Sequence, residues 1–368
     1  MNSRPPTRRV RVTAPASAQR RPRDGEAPRL LADIGGTYAR FAMQRRGRKA
    51  TKLRRYRCVE FPDIVSATRA YLRDARITTV PNHAAMAVAA PIVGDRVRMT
   101  NHPWTFSIAA VRRALGLQSL IVVNDFLAIA ESVPHLRADE RRRLGGEKPI
   151  AGGPIAVIGP GTGLGVGALV PDRDGGWHAI ATEGGHASMA PDDALDEAVI
   201  REIRRHHVHV SAERCLSGGG LVNLYRALAT LDKTPAKDLS PPAITAHAIR
   251  GDPLAKRAVA LFCAMLGSTA GNLALLYGAI GGVYIAGGIV LKLGDLFDAA
   301  AFRRRFADKG RYRGYLRPIP VYVITHPLPA LIGLAALLDR DAGDNPLIAS
   351  ARSPAEEERR RPRRAAQG

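Results

Sequence analysis

LADIGGT (Leu31–Thr37) ends an apolar run on two glycines and a hydroxyl, and GPGTGLGVG (Gly159–Gly167) repeats the theme farther along the chain. Glycine lets backbone amides come close to phosphate oxygens. Between the two lies Asn124-Asp125, directly after the apolar run Leu120–Val123. An aspartate at the carboxyl end of a buried strand sits where open α/β sheets expose reactive side chains. Together the three features suggest a protein that moves a phosphoryl group.

Outward from these motifs, strand-like runs alternate with helical patterns, which predicts βαβ units and a mostly parallel sheet. Strands read at Arg29–Ile34, Phe41–Gln44, Leu53–Cys58, Ala84–Ala90, Leu120–Val123, Ile155–Ile158, Val166–Val170, Val283–Ala286 and Val321–Ile324. Helices read at Asp63–Asp74, Ile108–Leu115, Phe126–Val133, Ala194–His206, Gly220–Leu231, Ala255–Tyr277 and Ala330–Asp339. The order strand, glycine turn, strand occurs near residue 33 and again near residue 160. This predicts a duplicated α/β unit with a nucleotide held between its halves.

A chain of 368 residues with 46% hydrophobic residues can build two ordinary cores, and 36 glycines suit an α/β enzyme with many tight turns. Cys58, Cys215 and Cys263 form no CxxC pair and no zinc spacing, which fits a reducing cytoplasm. The net charge of +22 is partly terminal: residues 1–29 carry +6 and residues 349–368 carry +3, leaving +13 elsewhere. Both ends are rich in Pro, Ala and Arg and are expected to be disordered tails. The tails read as solvated arginine-rich segments rather than a nucleic-acid interface, although salt-sensitive contacts with RNA or anionic lipid stay open. The first 29 residues lack a secretory apolar core; their arginines also suit a transit peptide, and that alternative stays open. Ala258–Leu291 carries no charge but holds Ser268, Thr269, Asn272 and two glycine pairs. It reads as a buried helix, turn and strand rather than a membrane span, in a soluble chain.

Each chemical candidate has a structural alternative. Asp33 to Thr37 can offer amides and a hydroxyl to phosphate, with Asp33 holding Mg²⁺ through water, or can be a hairpin whose glycines only permit positive φ. Gly161-Thr162-Gly163-Leu164-Gly165 repeats that chemistry, but no Gly-Lys-Ser/Thr follows, so it is no Walker loop. Asp125 can accept a proton from an alcohol, or Asn124 and Asp125 can cap a helix. Glu183, His186 and Glu213 can bind vicinal hydroxyls, or lie in a solvated glycine turn and a helix start at Ser211. His206, His207 and His209 read as a solvated helix end, with no acid or cysteine constellation for a metal.

DIGGT (Asp33–Thr37), MTNHPWTFS (Met99–Ser107), VNDF (Val123–Phe126) and GPGTGLG (Gly159–Gly165) are followed by EGGH (Glu183–His186) and SAERCLSGGGLVNLYRA (Ser211–Ala227). GNLAL (Gly271–Leu275), GGVYIAGGI (Gly281–Ile289) and DKGRY (Asp308–Tyr312) complete the series. In this order, from about Leu30 to Asp339, the chain resembles bacterial glucokinases of the proteobacterial type, within the hexokinase and actin-like ATPase superfamily. The resemblance implies two actin-like ATPase (ribonuclease H-like) α/β domains around a central cleft. Residues 30–135 plus 327–347 would form the small domain and 136–326 the large one, with tails at 1–29 and 348–368.

It also implies ATP-dependent phosphorylation of glucose at its 6-hydroxyl, with Mg²⁺ carried by ATP and water rather than held directly. Asp125 would be the general base. Asn124, Asp125, Glu183, His186 and Glu213 would hold the sugar. Ala32, Asp33, Ile34, Gly35, Gly36, Thr37, Gly161, Thr162, Gly163 and Gly165 would face the phosphates, and Gly287 and Gly288 the adenosine. Glucose and Mg·ATP would be the partners, with no membrane and no nucleic acid, in the cytoplasm, and the resemblance is compatible with a homodimer. Tyr38 stands where family members usually have asparagine, and Pro160 and Gly220 are further departures. The zinc-binding cysteine cluster of the related repressor/sugar-kinase family is absent. Rival readings are a kinase for another hexose or amino sugar, and a sugar-sensing regulator that retains the fold.

Overall fold

The computed structural model describes residues 27–79, 81–173, 175–340 and 349–352. Fourteen strands occur among these residues. They are β1 (Arg29–Ile34), β2 (Tyr38–Gln44), β3 (Thr51–Arg57), β4 (His83–Val88), β5 (Arg96–Arg98), β6 (Thr105–Ser107) and β7 (Ser119–Asn124). The remaining seven are β8 (Arg141–Gly145), β9 (Ile155–Pro160), β10 (Leu164–Pro171), β11 (Trp177–Thr182), β12 (Gly282–Ile285), β13 (Val321–Ile324) and β14 (Ala349–Arg352).

These strands build two six-stranded sheets of matching design, ordered β14-β7-β4-β1-β2-β3 and β11-β10-β9-β12-β13-β8. In each, three antiparallel strands (β1–β3, β9–β11) continue into two parallel ones (β4 and β7, β12 and β13). In each, an antiparallel edge strand then follows, β14 in the first and β8 in the second. The duplicated α/β unit expected from the two glycine motifs is therefore present as a topology, but the sheets are not mostly parallel as expected: two parallel pairs stand against three antiparallel ones in each, because the glycine turns join hairpins rather than crossovers. β14 departs from the expected tail at 348–368: its backbone pairs with β7, completing that sheet's edge, and edge pairing draws little on side-chain hydrophobicity. The expectations for residues 1–26, 341–348 and 353–368 lie outside the described residues.

Strand alternation divides the packing. Leu30, Ala32 and Ile34 turn to one core with Tyr71 and Met86, whereas Leu31 turns to the layer between the sheets. That layer holds the helices Asp125–Ser132 and Pro329–Asp339, with Val157 and Leu169 of the second sheet behind them. The two helices cross at Gly333, where a methyl group would run into the Ala128 carbonyl. The 25-residue helix Pro253–Tyr277 is long and apolar enough to cross a membrane by composition. It is packed in the second core beside Phe302 and Phe306, as the buried-helix reading requires. β8, β11 and the helices Pro241–Ile249 and Ala299–Ala307 escaped sequence reading. β8 is too arginine-rich to read as a strand (RRRLG), and its pairing comes from β13.

Candidate active site

β7 is buried along its whole length and ends at Asn124. The next residue, Asp125, begins the helix Asp125–Ser132. Asn124 takes the capping role that its residue type allows: its Oδ1 accepts from the Phe126 N–H (2.8 Å) and the Leu127 N–H (3.2 Å), and its Nδ2 donates to the Ala90 carbonyl (3.3 Å). The Asp125 Oδ1 accepts from the same Phe126 N–H at 3.0 Å. Burial first, and the Asp33 carboxylate second, push the Asp125 carboxyl up to about 7, against the Phe126 amide. A helix start favours an anion by only about 0.3–1 kcal/mol, so desolvation wins.

Asp125 borders a cleft of about 370 Å³ between the two sheets. One wall is the β1–β2 turn, Gly35 to Thr37; facing it are Gly161, Thr162 and Gly163 of the β9–β10 turn, with Gly165 and Gly287. Glu183, His186 and Glu213 also line the cleft, Glu213 directly beside the β9–β10 turn. Two glycine turns and four polar side chains from distant stretches of sequence thus share one cavity.

Glu213 lies in a short turn capped by Ser211, whose Oγ accepts from the Arg214 N–H at 3.3 Å. The local cap and the cleft-facing carboxylate coexist. The Glu213 carboxylate accepts from the Leu164 N–H at 2.9 Å, tying this turn to the β9–β10 loop; the absence of a side chain on Gly163 leaves room for it. Glu183 and His186 are both about half exposed and stand 3.9 Å apart, a loose and solvent-screened pair.

Asp33 does not itself line the cleft. It faces Arg40 directly across the β1–β2 ladder, and Arg40 Nη1 donates to its Oδ2 at 3.0 Å. Burial raises the Asp33 carboxyl, and Arg40 opposes that rise. Ala32 and Ile34 are turned fully into the first core, so their side chains are not at the cleft; strand alternation requires this once Asp33 faces the other way. Gly288 opens the short helix Gly288–Leu293, and only its neighbour Gly287 reaches the cleft, at φ +86°.

Thr100, Asn101, Phe126 and Thr182 also line the cleft but were given no role from sequence. Thr100 and Asn101 belong to the β5–β6 loop, which abuts Gly36: a methyl there would meet the Asn101 Cβ at 2.9 Å. Their signal was the polar run between two short extended segments. Tyr38 stands under the Arg55 guanidinium, 4.6 Å from ring centroid to Cζ. Of the three histidines read as solvated, His209 bonds Ser188 at 3.1 Å. Among the described residues no group of three or more His, Cys, Asp or Glu is placed to hold a metal. Cys58, Cys215 and Cys263 are free and buried.

Two α/β sheets of matching design, with a strand-end carboxylate and two glycine turns on the cleft between them, are the arrangement of the actin-like ATPase fold. The chain belongs to the glucokinase family, whose profile, described as Glucokinase, matches residues 30–341. It is 49% identical to the "Glucokinase" of Paramagnetospirillum magneticum over 310 residues, 84% of this chain and 97% of that one. It is also 49% identical to the "Bifunctional protein glk" of Burkholderia pseudomallei over 314 residues, 85% of this chain but 49% of that one. The chain thus spans about half the length of the bifunctional relatives it matches. A crystal structure of glucokinase from an Antarctic psychrotroph is 36% identical, with a TM-score of 0.77, covering 85% of this chain and 99% of that chain.

Proposed function

We propose that this chain transfers the γ-phosphoryl group of ATP to the 6-hydroxyl of D-glucose, giving glucose 6-phosphate and ADP. The observation that carries the reading is Asp125: a half-buried strand-end carboxyl, pushed up to about 7, on the same cleft as both glycine turns and three sugar-competent side chains. Glu183, His186 and Glu213 hold the sugar's ring hydroxyls, since a carboxylate can accept from two neighbouring hydroxyls at once. Asn124 contributes mainly by holding Asp125 at the helix start, because its Oδ1 is already taken by two amides.

Asp125 accepts the O6 proton as the O6–P bond forms and the bond from Pγ to the ADP oxygen breaks. A group with pKa near the working pH suits proton acceptance. The reaction asks for placement and charge stabilisation more than covalent help. Gly36, Thr37, Thr162 and Gly163 present backbone amides and the two threonine hydroxyls to the phosphates, while the Gly35 and Gly161 amides donate within their own turns to the Tyr38 and Gly163 carbonyls. Gly287, at φ +86°, presents a side-chain-free surface to the adenosine. Mg²⁺ would arrive with ATP, and Asp33, behind the cleft wall with its Oδ2 accepting from Arg40, would hold it only through water. The ion supplies charge neutralisation on the phosphates. Approach of the two halves over bound sugar excludes water and limits ATP hydrolysis. The enzyme works in the cytoplasm, with its three thiols reduced.

A coupled ADP-release assay over a panel of hexoses and amino sugars tests the reading, with glucose expected as the fastest substrate. Asp125→Ala is expected to lower turnover by about 10³-fold or more with the circular dichroism spectrum retained. An inactive wild type, or a variant that turns over normally, overturns the assignment.

A further inference from the structure

Every second residue from Gly159 to Gly167 is glycine, and the loop reads at first as a phosphate cradle throughout. The structure divides these glycines. Gly161 is open, with nothing near the position of a side chain, as an approaching phosphate requires. Gly159 and Gly165 are direct partners across the β9–β10 ladder, and the space above both is filled by the ring of Phe126. A methyl on Gly159 would stand 2.5 Å from Phe126 Cζ, and one on Gly165 would lie within the ring's own van der Waals shell. On the same face, a methyl on Gly167 would meet the Phe126 carbonyl at 3.1 Å. Phe126 in turn belongs to the helix that starts with Asp125, and its amide donates to both Asn124 Oδ1 and Asp125 Oδ1.

We propose that Phe126 is a positioning residue: its ring, keyed into the slot made by the Gly159–Gly165 pair, sets where the Asp125 carboxylate stands relative to the phosphate-facing turn at Gly161. The physical basis is shape. Two facing glycines leave a flat, side-chain-free patch on a pleated sheet, and a planar ring fills it at interior packing density. A flexible aliphatic chain would fill it without fixing the angle of the helix start. The amide that reports the ring's position is the one that orients the base, so a displaced ring displaces the carboxylate. Glycines at 159 and 165 thus serve contact between the two halves rather than nucleotide approach.

This inference rests on the kinase reading, and its test separates the two. Gly165→Ala is expected to lower kcat by about 10²-fold, the cost of roughly a 1 Å misplacement, with KM for ATP changed by less than about threefold. Adding Phe126→Leu should relieve the clash and recover kcat about tenfold over Gly165→Ala, although Phe126→Leu alone lowers it; such a sign reversal is a coupling that independent sites do not show. Crystal structures of Gly165→Ala and Phe126→Leu should show the Asp125 carboxylate moved from its wild-type place. An unmoved carboxylate, a raised KM for ATP at unchanged kcat, or no recovery in the double variant overturns the proposal. If the wild type fails to phosphorylate glucose, the kinase reading falls, while the carboxylate position in Phe126→Leu still decides this one.

Discussion

Asp125 shows how a commonplace residue acquires chemistry. As the first residue of a capped helix it would be expected to stay a strong acid, yet burial and the Asp33 charge push it to about 7. For activity this predicts that kcat/KM for glucose falls as pH drops below about 7, because the proton acceptor becomes occupied. For stability the sign is opposite. A carboxyl raised in the fold from 3.8 contributes stability present below that value and lost as pH climbs to about 7. Asp125→Asn should therefore match wild-type melting near pH 4, exceed it increasingly up to about pH 7, and keep that margin above it. Thermal melts across pH 4–8 check this; a constant offset would mean that burial does not oppose the anion. Asp125 was readable as a candidate because an acid directly after a buried apolar run has few other places to be. Its raised pKa was not readable, because Asp33 and Glu183 approach it only in the folded chain.

The helices between the sheets carry Asp125 and join the halves. Gly333 in Pro329–Asp339 meets the Ala128 carbonyl in Asp125–Ser132, so the crossing depends on a missing side chain. Gly333→Ala is expected to destabilise by about 1–3 kcal/mol despite alanine's better helix propensity, because a methyl against a backbone carbonyl forces the helices apart. A urea midpoint unchanged or raised would show that the crossing has slack. At this level the sequence was informative where periodicity was strong: Ala255–Tyr277 against the observed Pro253–Tyr277, and Ala330–Asp339 against Pro329–Asp339. It was weak at edges. β8, with three arginines, and β14 exist because β13 and β7 each had an open side to pair, and that is a property of the partner strand.

Behind the cleft, Arg340 caps the helix Pro329–Asp339, pairs with the buried Glu131 and donates to the Trp177 carbonyl of the second sheet at 2.6 Å. Glu131 is only 2% exposed, so Arg340→Met leaves an unpaired buried carboxylate and is expected to cost about 3–5 kcal/mol in urea denaturation. Adding Glu131→Gln should return much of that loss; if it does not, the arginine acts through Trp177 rather than through the charge. The Arg29–Asp339 pair (2.8 Å) ties the same helix to the start of β1, joining residues 310 apart in sequence. Such contacts had no local signal. What the amino-acid order settled was the duplicated strand–glycine–strand design, the strand-end aspartate and the family to which they belong, because periodicity and turn chemistry act over a few residues. Which glycines meet a ring and which stand open, that Ala32 and Ile34 turn inward, and how Asp33 raises the proton affinity of Asp125 from more than ninety residues away depended on the folded chain. Packing and burial are set by neighbours that no stretch of sequence contains.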